Sequence, residues 1–306
     1  MTQVLDLPAD FTTRIRGAFP SGADWLTRLP ALIAECERRW SLNLGRHFPE
    51  LSYNFVAPAV RADGSPAVLK LGVPNRELTS EIEALRFYDG CGAVHLLDAD
   101  PDLGALLLER LSPGTMLASW PDDAGATAIA AQVMRELWRP APAEGEFLTV
   151  AGWAAGLTRL RTRFAGGSGP FPEKLVATAE TLFAELLASS APPVLLHGDL
   201  HHFNILTAQR APWLAIDPKG VIGEPAYEIG ALLRNPWDDL LAWPNLRQIQ
   251  ARRIDQLADL LDLDRARITG WAVAQAVLSA WWDYEDAGDG WRYGLACAEV
   301  LRDLLP

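Results

Sequence analysis

Near the middle of the chain His197-Gly198-Asp199 is followed by Asn204, five positions after the aspartate, and Asp217 stands eighteen positions after it. Phosphoryl transfer from a nucleotide needs little covalent help. It needs a magnesium ion clamped by oxygen ligands, a carboxylate aimed at the acceptor hydroxyl and a cation on the phosphates. The spacing matches a kinase catalytic loop and its metal-binding aspartate, with Asp199 as the base and Asn204 and Asp217 as the magnesium ligands. Upstream, Lys70 ends the apolar strand Val68-Leu69-Lys70. Glu81 lies in the helix that follows, within reach of a folded-back lysine, which is the lysine–glutamate pair of the same template.

These residues need elements to hold them. Around the polar segment, the apolar triplets 194–196, 205–206 and 213–216 are too short for helices and read as small strands and loops. Residues 24–40 place Trp25, Leu26, Leu29, Leu32, Ile33, Cys36 and Trp40 at helical spacing with Pro30 in an early turn, and this helix is expected to open the fold. Residues 42–71 read as a β-meander, with strands at 54–61 and 67–71 joined through Asp63-Gly64. The segment RELTSEIEALRFY is expected to form a helix presenting Leu78, Ile82, Leu85 and Phe87 to the sheet, and Leu106-Leu107-Leu108 a buried strand. The polar turn that starts at Glu109 marks the expected boundary, placing a strand-rich lobe at 1–111 and a helix-rich lobe at 112–306. In the second lobe, helices are expected at 127–139, 147–164, 173–189, 228–234, 250–261 and 268–284, the last capped by Asp264, and a final one from about Trp291.

HGDLHHFNIL, followed by WLAIDPKG and then GEPAYEIG, resembles the aminoglycoside phosphotransferases, in the branch of streptomycin 6-phosphotransferases and hydroxyurea-resistance kinases. The resemblance runs from about residue 42 to about residue 288, with its most specific part at 196–236. It implies an α+β, protein-kinase-like two-lobed fold with a small β-rich N-lobe and a larger, mainly helical C-lobe. It also implies ATP and Mg2+ as cofactors. By position, Asp199 is similar to the family's catalytic base, Asn204 and Asp217 to its magnesium ligands, and Lys70 with Glu81 to its phosphate-anchoring pair. The segment Glu109-Arg110-Leu111 is similar to the hinge whose backbone meets adenine. The chain departs from related kinases where a glycine-rich phosphate loop is expected, since Pro49-Glu50-Leu51-Ser52-Tyr53 holds no glycine. It carries Pro218 after the metal aspartate and no APE-like segment, which disfavours protein substrates.

The same residues admit other chemistry. His197, Asp199, His201 and His202 could hold zinc, with His47 and His95 as the remaining imidazoles, but zinc leaves Asn204 and Asp217 idle. No GxSxG elbow supports hydrolysis, and a non-catalytic nucleotide binder is a third class. His197 is expected to hydrogen-bond the loop backbone. Asp283, Glu285, Asp286 and Asp289 follow the aromatic helix and are candidates to line an acceptor pocket for guanidinium or ammonium groups, a solvated acidic turn being the alternative. Trp281 and Trp282 are expected in the core.

The bulk composition narrows the partners. A formal charge of −12 disfavours nucleic acid and favours a small cationic substrate. Three scattered cysteines suggest no disulfide framework, and neither a leader nor an apolar run of about 20 residues is evident, so no membrane partner and a cytoplasmic location are expected.

Overall fold

The structure is a computed structural model, and it describes residues 5–236, 240–286 and 290–306. The chain divides into two compact units, Met1–Gly90 with Val94–Leu111, and Cys91–Ala93 with Ser112–Pro306.

The first unit runs α1 (Ala9–Ala18), α2 (Gly22–Trp40), β1 (Leu42–Leu44), β2 (Phe55–Arg61), β3 (Pro66–Leu71), α3 (Arg76–Tyr88), β4 (Leu96–Asp100) and β5 (Ala105–Glu109). Its strands form one sheet in the order β1-β2-β3-β5-β4, with every neighbouring pair antiparallel. In β2 the side chains of Phe55, Ala57 and Ala59 are buried and those between are not, the period of two that a sheet with one covered face demands. The buried Phe55 and Ala57 join Trp25, Leu29 and Cys36 of α2 in a single core.

Two expectations are corrected here. α2 does not open the fold, because α1 precedes it and buries Phe11 and Ile15, two apolar residues one turn apart that make too short a stripe to stand out in the sequence. In α3 the buried aromatic is Tyr88, whereas Phe87 is half-buried. Positions 78, 82, 85 and 88 keep the helical period that 87 breaks.

The second unit runs α4 (Asp123–Leu137), β6 (Arg139–Pro140), β7 (Leu148–Thr149), α5 (Val150–Arg163), α6 (Glu173–Ala188), β8 (Val194–Leu196), β9 (Ile205–Thr207), β10 (Trp213–Ala215), β11 (Val221–Gly223), α7 (Pro225–Leu233), α8 (Leu246–Leu261), α9 (Arg265–Glu285) and α10 (Trp291–Arg302). α4 starts four residues before its expected position because the Asp122 carboxylate accepts the Ala124 and Gly125 amides and caps it. At its centre α9 buries residues all round, Ile268, Trp271, Ala274 and Leu278 among them, and packs against α5, α6, α7, α8 and α10. Its N-terminus is capped by Asp264, which accepts the Arg267 amide at 2.7 Å. Trp281 is buried on this helix, while Trp282 stays partly exposed against Trp153, their ring centroids 5.1 Å apart.

Candidate active site

Two short antiparallel ladders build the polar centre of the second unit. β8 pairs with β11 so that Leu196 faces Val221, and β9 pairs with β10 so that Ile205 faces Ala215. The first ladder holds the start of the 197–204 loop beside the end of the 216–220 loop, and the second holds the end of the one beside the start of the other. Backbone bonds close both corners, Lys219 N to His197 O at 2.6 Å and Ile216 N to Asn204 O at 2.9 Å. Asp199, Asn204 and Asp217 therefore share one bracketed segment, although eighteen positions separate the two aspartates.

Within the bracket the backbone is heavily used. The His197 ring is fully buried and donates from Nε2 to Ile216 O at 2.7 Å, while its Nδ1 accepts the Asp199 amide at 3.2 Å. This is the loop-holding role expected of His197, and burial depresses its pKa to about 4, so the ring stays neutral. With its one lone pair committed to an amide, His197 offers nothing to zinc. Among the described residues no three His, Cys, Asp or Glu side chains converge on a metal position. Gly198 adopts φ +87, and a side chain there would meet Val221, Trp153 and Lys219. Asp217 sits in the left-handed region at φ 59, uncommon for a non-glycine residue and unfavourable before a proline, which marks a place where packing overrides backbone preference.

Glu228, on α7, grips the loop from beneath. Its Oε2 accepts the His197 amide at 2.7 Å and its Oε1 the Gly198 amide at 2.8 Å. Full burial pushes its pKa up to about 7 even though both backbone bonds pull it down. Sequence reasoning missed this residue. The available signal was an acid inside the otherwise apolar run PAYEIGALL, where a carboxylate survives only with dedicated partners.

The side chain of Asp199 is 36% exposed. Desolvation works to raise its pKa, but the nearby charges of His201, Lys219 and Arg234 outweigh it and hold the carboxyl well below its usual range. The group is thus ionised across the neutral range. The Asn204 amide nitrogen donates to Asp199 O at 3.0 Å, which orients the side chain and assigns its carbonyl oxygen to the opposite end of the amide. Asn204 offers an amide oxygen and Asp217 a carboxylate, each a hard donor of the kind magnesium prefers.

In the first unit, Lys70 Nζ lies 2.7 and 2.8 Å from the two Glu81 oxygens, both side chains nearly sealed from solvent. Glu109 ends β5, its Oε2 accepting the His95 amide at 3.1 Å, and Leu111 is the last residue of the unit. In the glycine-free segment, Leu51 is buried in the core and its carbonyl accepts from Arg14 at 3.0 Å, so packing pins that loop. Of the distal acids, Glu285 pairs with Arg159 through two bonds of 2.7 and 2.8 Å, Asp286 is the exposed C-cap of α9, and Asp283 is half-buried on the same helix. Asp289 lies outside the described residues.

The family model described as aminoglycoside/hydroxyurea antibiotic resistance kinase matches residues 39–287. The chain belongs to that family. It is 36% identical to a streptomycin 6-kinase of Streptomyces glaucescens, over 93% of each chain. It is 33% identical to a hydroxyurea phosphotransferase of Kitasatospora aureofaciens, over 92% of this chain and 82% of that one. Among solved structures, choline kinase LicA from Streptococcus pneumoniae superposes with a TM-score of 0.63 at 12% identity, covering 90% of this chain and 99% of that one. At that identity the likeness speaks for the fold alone. The fold is α+β and protein-kinase-like, with a sheet-rich N-terminal unit and a mainly helical C-terminal one.

Proposed function

We propose that this protein is an ATP- and magnesium-dependent kinase that transfers the γ-phosphate to a hydroxyl of an aminoglycoside, streptomycin at its 6-position being the acceptor best supported. The observation that carries the reading is the near full-length identity to a streptomycin 6-kinase. The loop chemistry agrees with it. Asp199 is ionised, partly exposed and held by its own backbone, as a base for an incoming hydroxyl must be.

In this reading Asp199 accepts the hydroxyl proton as the acceptor oxygen attacks the γ-phosphorus and the bond to the β,γ-bridging oxygen breaks, releasing ADP. Asn204 and Asp217 hold the magnesium, which supplies charge neutralisation on the phosphates. Lys70, braced by Glu81, anchors the phosphates, and the backbone of Glu109–Leu111 contacts adenine. The strongly acidic chain suits a polycationic antibiotic, and Asp283, Glu285 and Asp286 are proposed to face it, Glu285 after exchanging its Arg159 partner. No helix among the described residues is long and apolar enough to cross a membrane. Cys36, Cys91 and Cys297 form no disulfide, and we place the reaction in the cytoplasm, where thiols stay reduced and ATP is made.

A coupled ATPase assay over streptomycin, other aminoglycosides and hydroxyurea tests the proposal. Streptomycin-dependent turnover that falls by roughly 10²–10⁴-fold in Asp199→Ala, with magnesium–nucleotide binding retained in calorimetry, is the expected result. Turnover with hydroxyurea alone would move the chain to the other branch of its family. Nucleotide binding without turnover on any acceptor would make it a non-catalytic binder.

A further inference from the structure

We propose that His201 is a positioning residue for Asp199, its Nε2–H steering one carboxylate oxygen so that the other is presented to the acceptor. The inference rests on the reading of Asp199 as the base.

The loop itself selects the tautomer. Phe203 N–H donates to His201 Nδ1 at 3.3 Å, and a ring nitrogen that accepts a hydrogen bond carries no proton. In the neutral ring the proton therefore sits on Nε2. Two groups lie near that atom, Asp199 Oδ2 at 3.6 Å and Asn204 Nδ2 at 3.4 Å. Asn204 Nδ2 is itself a donor, one of its protons given to Asp199 O at 3.0 Å, and cannot accept the Nε2 proton. The Asp199 carboxylate is the acceptor the Nε2 proton can serve.

At 3.6 Å the contact is electrostatic and too long for a hydrogen bond, which is the usual state of a catalytic pair before substrates close on it. The ring is not free to swing. Its side chain is only 16% exposed, and it lies edge-on to Phe203 with the ring centroids 5.8 Å apart. One imidazole thus touches the base and the amide of Asn204 at once, and couples the orientation of the two.

The tautomer can be read without any substrate. In a long-range ¹H–¹⁵N spectrum of the ¹⁵N-histidine-labelled protein at about pH 8, the His201 signal should show a protonated Nε2 and a bare Nδ1. Loss of that signal in His201→Gln assigns it, and a protonated Nδ1 overturns the proposal.

Turnover gives the second reading, measured with the best acceptor of the panel. His201→Ala should lower kcat by about 10- to 100-fold while both KM values stay within about threefold, because misplacement of a base costs rate and not binding. His201→Gln keeps a terminal amide able to donate and should recover at least about a tenth of wild-type kcat, more than the alanine variant retains. Wild-type kcat in His201→Ala, or a glutamine variant no better than alanine, overturns the proposal. If the alanine variant does not fold, the glutamine and asparagine variants decide, the asparagine being too short to reach Asp199 and expected to behave as alanine. Asp199→Asn separates the two levels of the argument. If it is inactive while His201→Ala is unaffected, only the positioning role fails; if it too turns over normally, the reading of Asp199 as the base fails.

Discussion

Lys70 and Glu81 are the sharpest case at the scale of single residues, because each is nearly sealed from water and the lysine engages both carboxylate oxygens. Such a pair stabilises little compared with two apolar side chains, yet removing one member strands the other. Lys70→Met should cost about 3–5 kcal/mol in chemical denaturation, and Lys70→Met with Glu81→Leu should regain most of that loss without regaining turnover. A double variant as unstable as the single one would show that the buried charge is not the cause. The pair is legible in the sequence because a strand lysine and a helix glutamate eleven positions on stand at a spacing where a folded-back lysine reaches its partner. In the sequence His201 is only a possible zinc ligand, since spacing does not reveal which ring nitrogen a backbone amide occupies.

At the scale of elements, α7 and α9 carry the consequences. Glu228 on α7 has a folded-state pKa of about 7 against an ordinary 4.5. A group raised in the folded state contributes stability that is fully present below 4.5 and lost as pH rises through 7. The loss amounts to about 3–4 kcal/mol at most, since a tenfold change in proton affinity corresponds to about 1.4 kcal/mol. Denaturation midpoints of Glu228→Gln should accordingly vary less between about pH 5 and pH 8 than those of the parent protein, and an unchanged slope would assign the titration elsewhere. The same variant places an amide NH₂ against a backbone N–H, so turnover should fall as the 197–199 backbone shifts. On α9, Asp264→Ala removes the acceptor of the Arg267 amide and should cost about 1 kcal/mol by thermal denaturation, with KM values unaltered. The cap is readable from the sequence, whereas β6, β7 and β11 are not, because strands of two or three residues lack the length over which a period of two can be counted.

For the whole molecule the relevant quantity is charge. With −12 spread over 306 residues, the protein should draw a polycation from solution, and the attraction is screened beyond about 8 Å at physiological ionic strength. Raising salt from about 50 to 500 mM should therefore lower kcat/KM for streptomycin severalfold with kcat little changed, the effect being smaller for uncharged hydroxyurea. Equal salt dependence for the two acceptors would remove electrostatic capture from the account of substrate choice.

Residue type and spacing are enough to point to a kinase chemistry, because His197-Gly198-Asp199, Asn204 and Asp217 lie close along the chain where that information is local. They also establish the order of sheet and helices, since the change from alternating to helical period is local too. How those residues are held emerges only when the chain is folded. The facing of Leu196 with Val221 and of Ile205 with Ala215, the grip of Glu228 on two amides about thirty positions away, and the tautomer of His201 all follow from strand register and packing. Register is set by which apolar side chains find the core, and that is a property of the folded molecule rather than of any one segment.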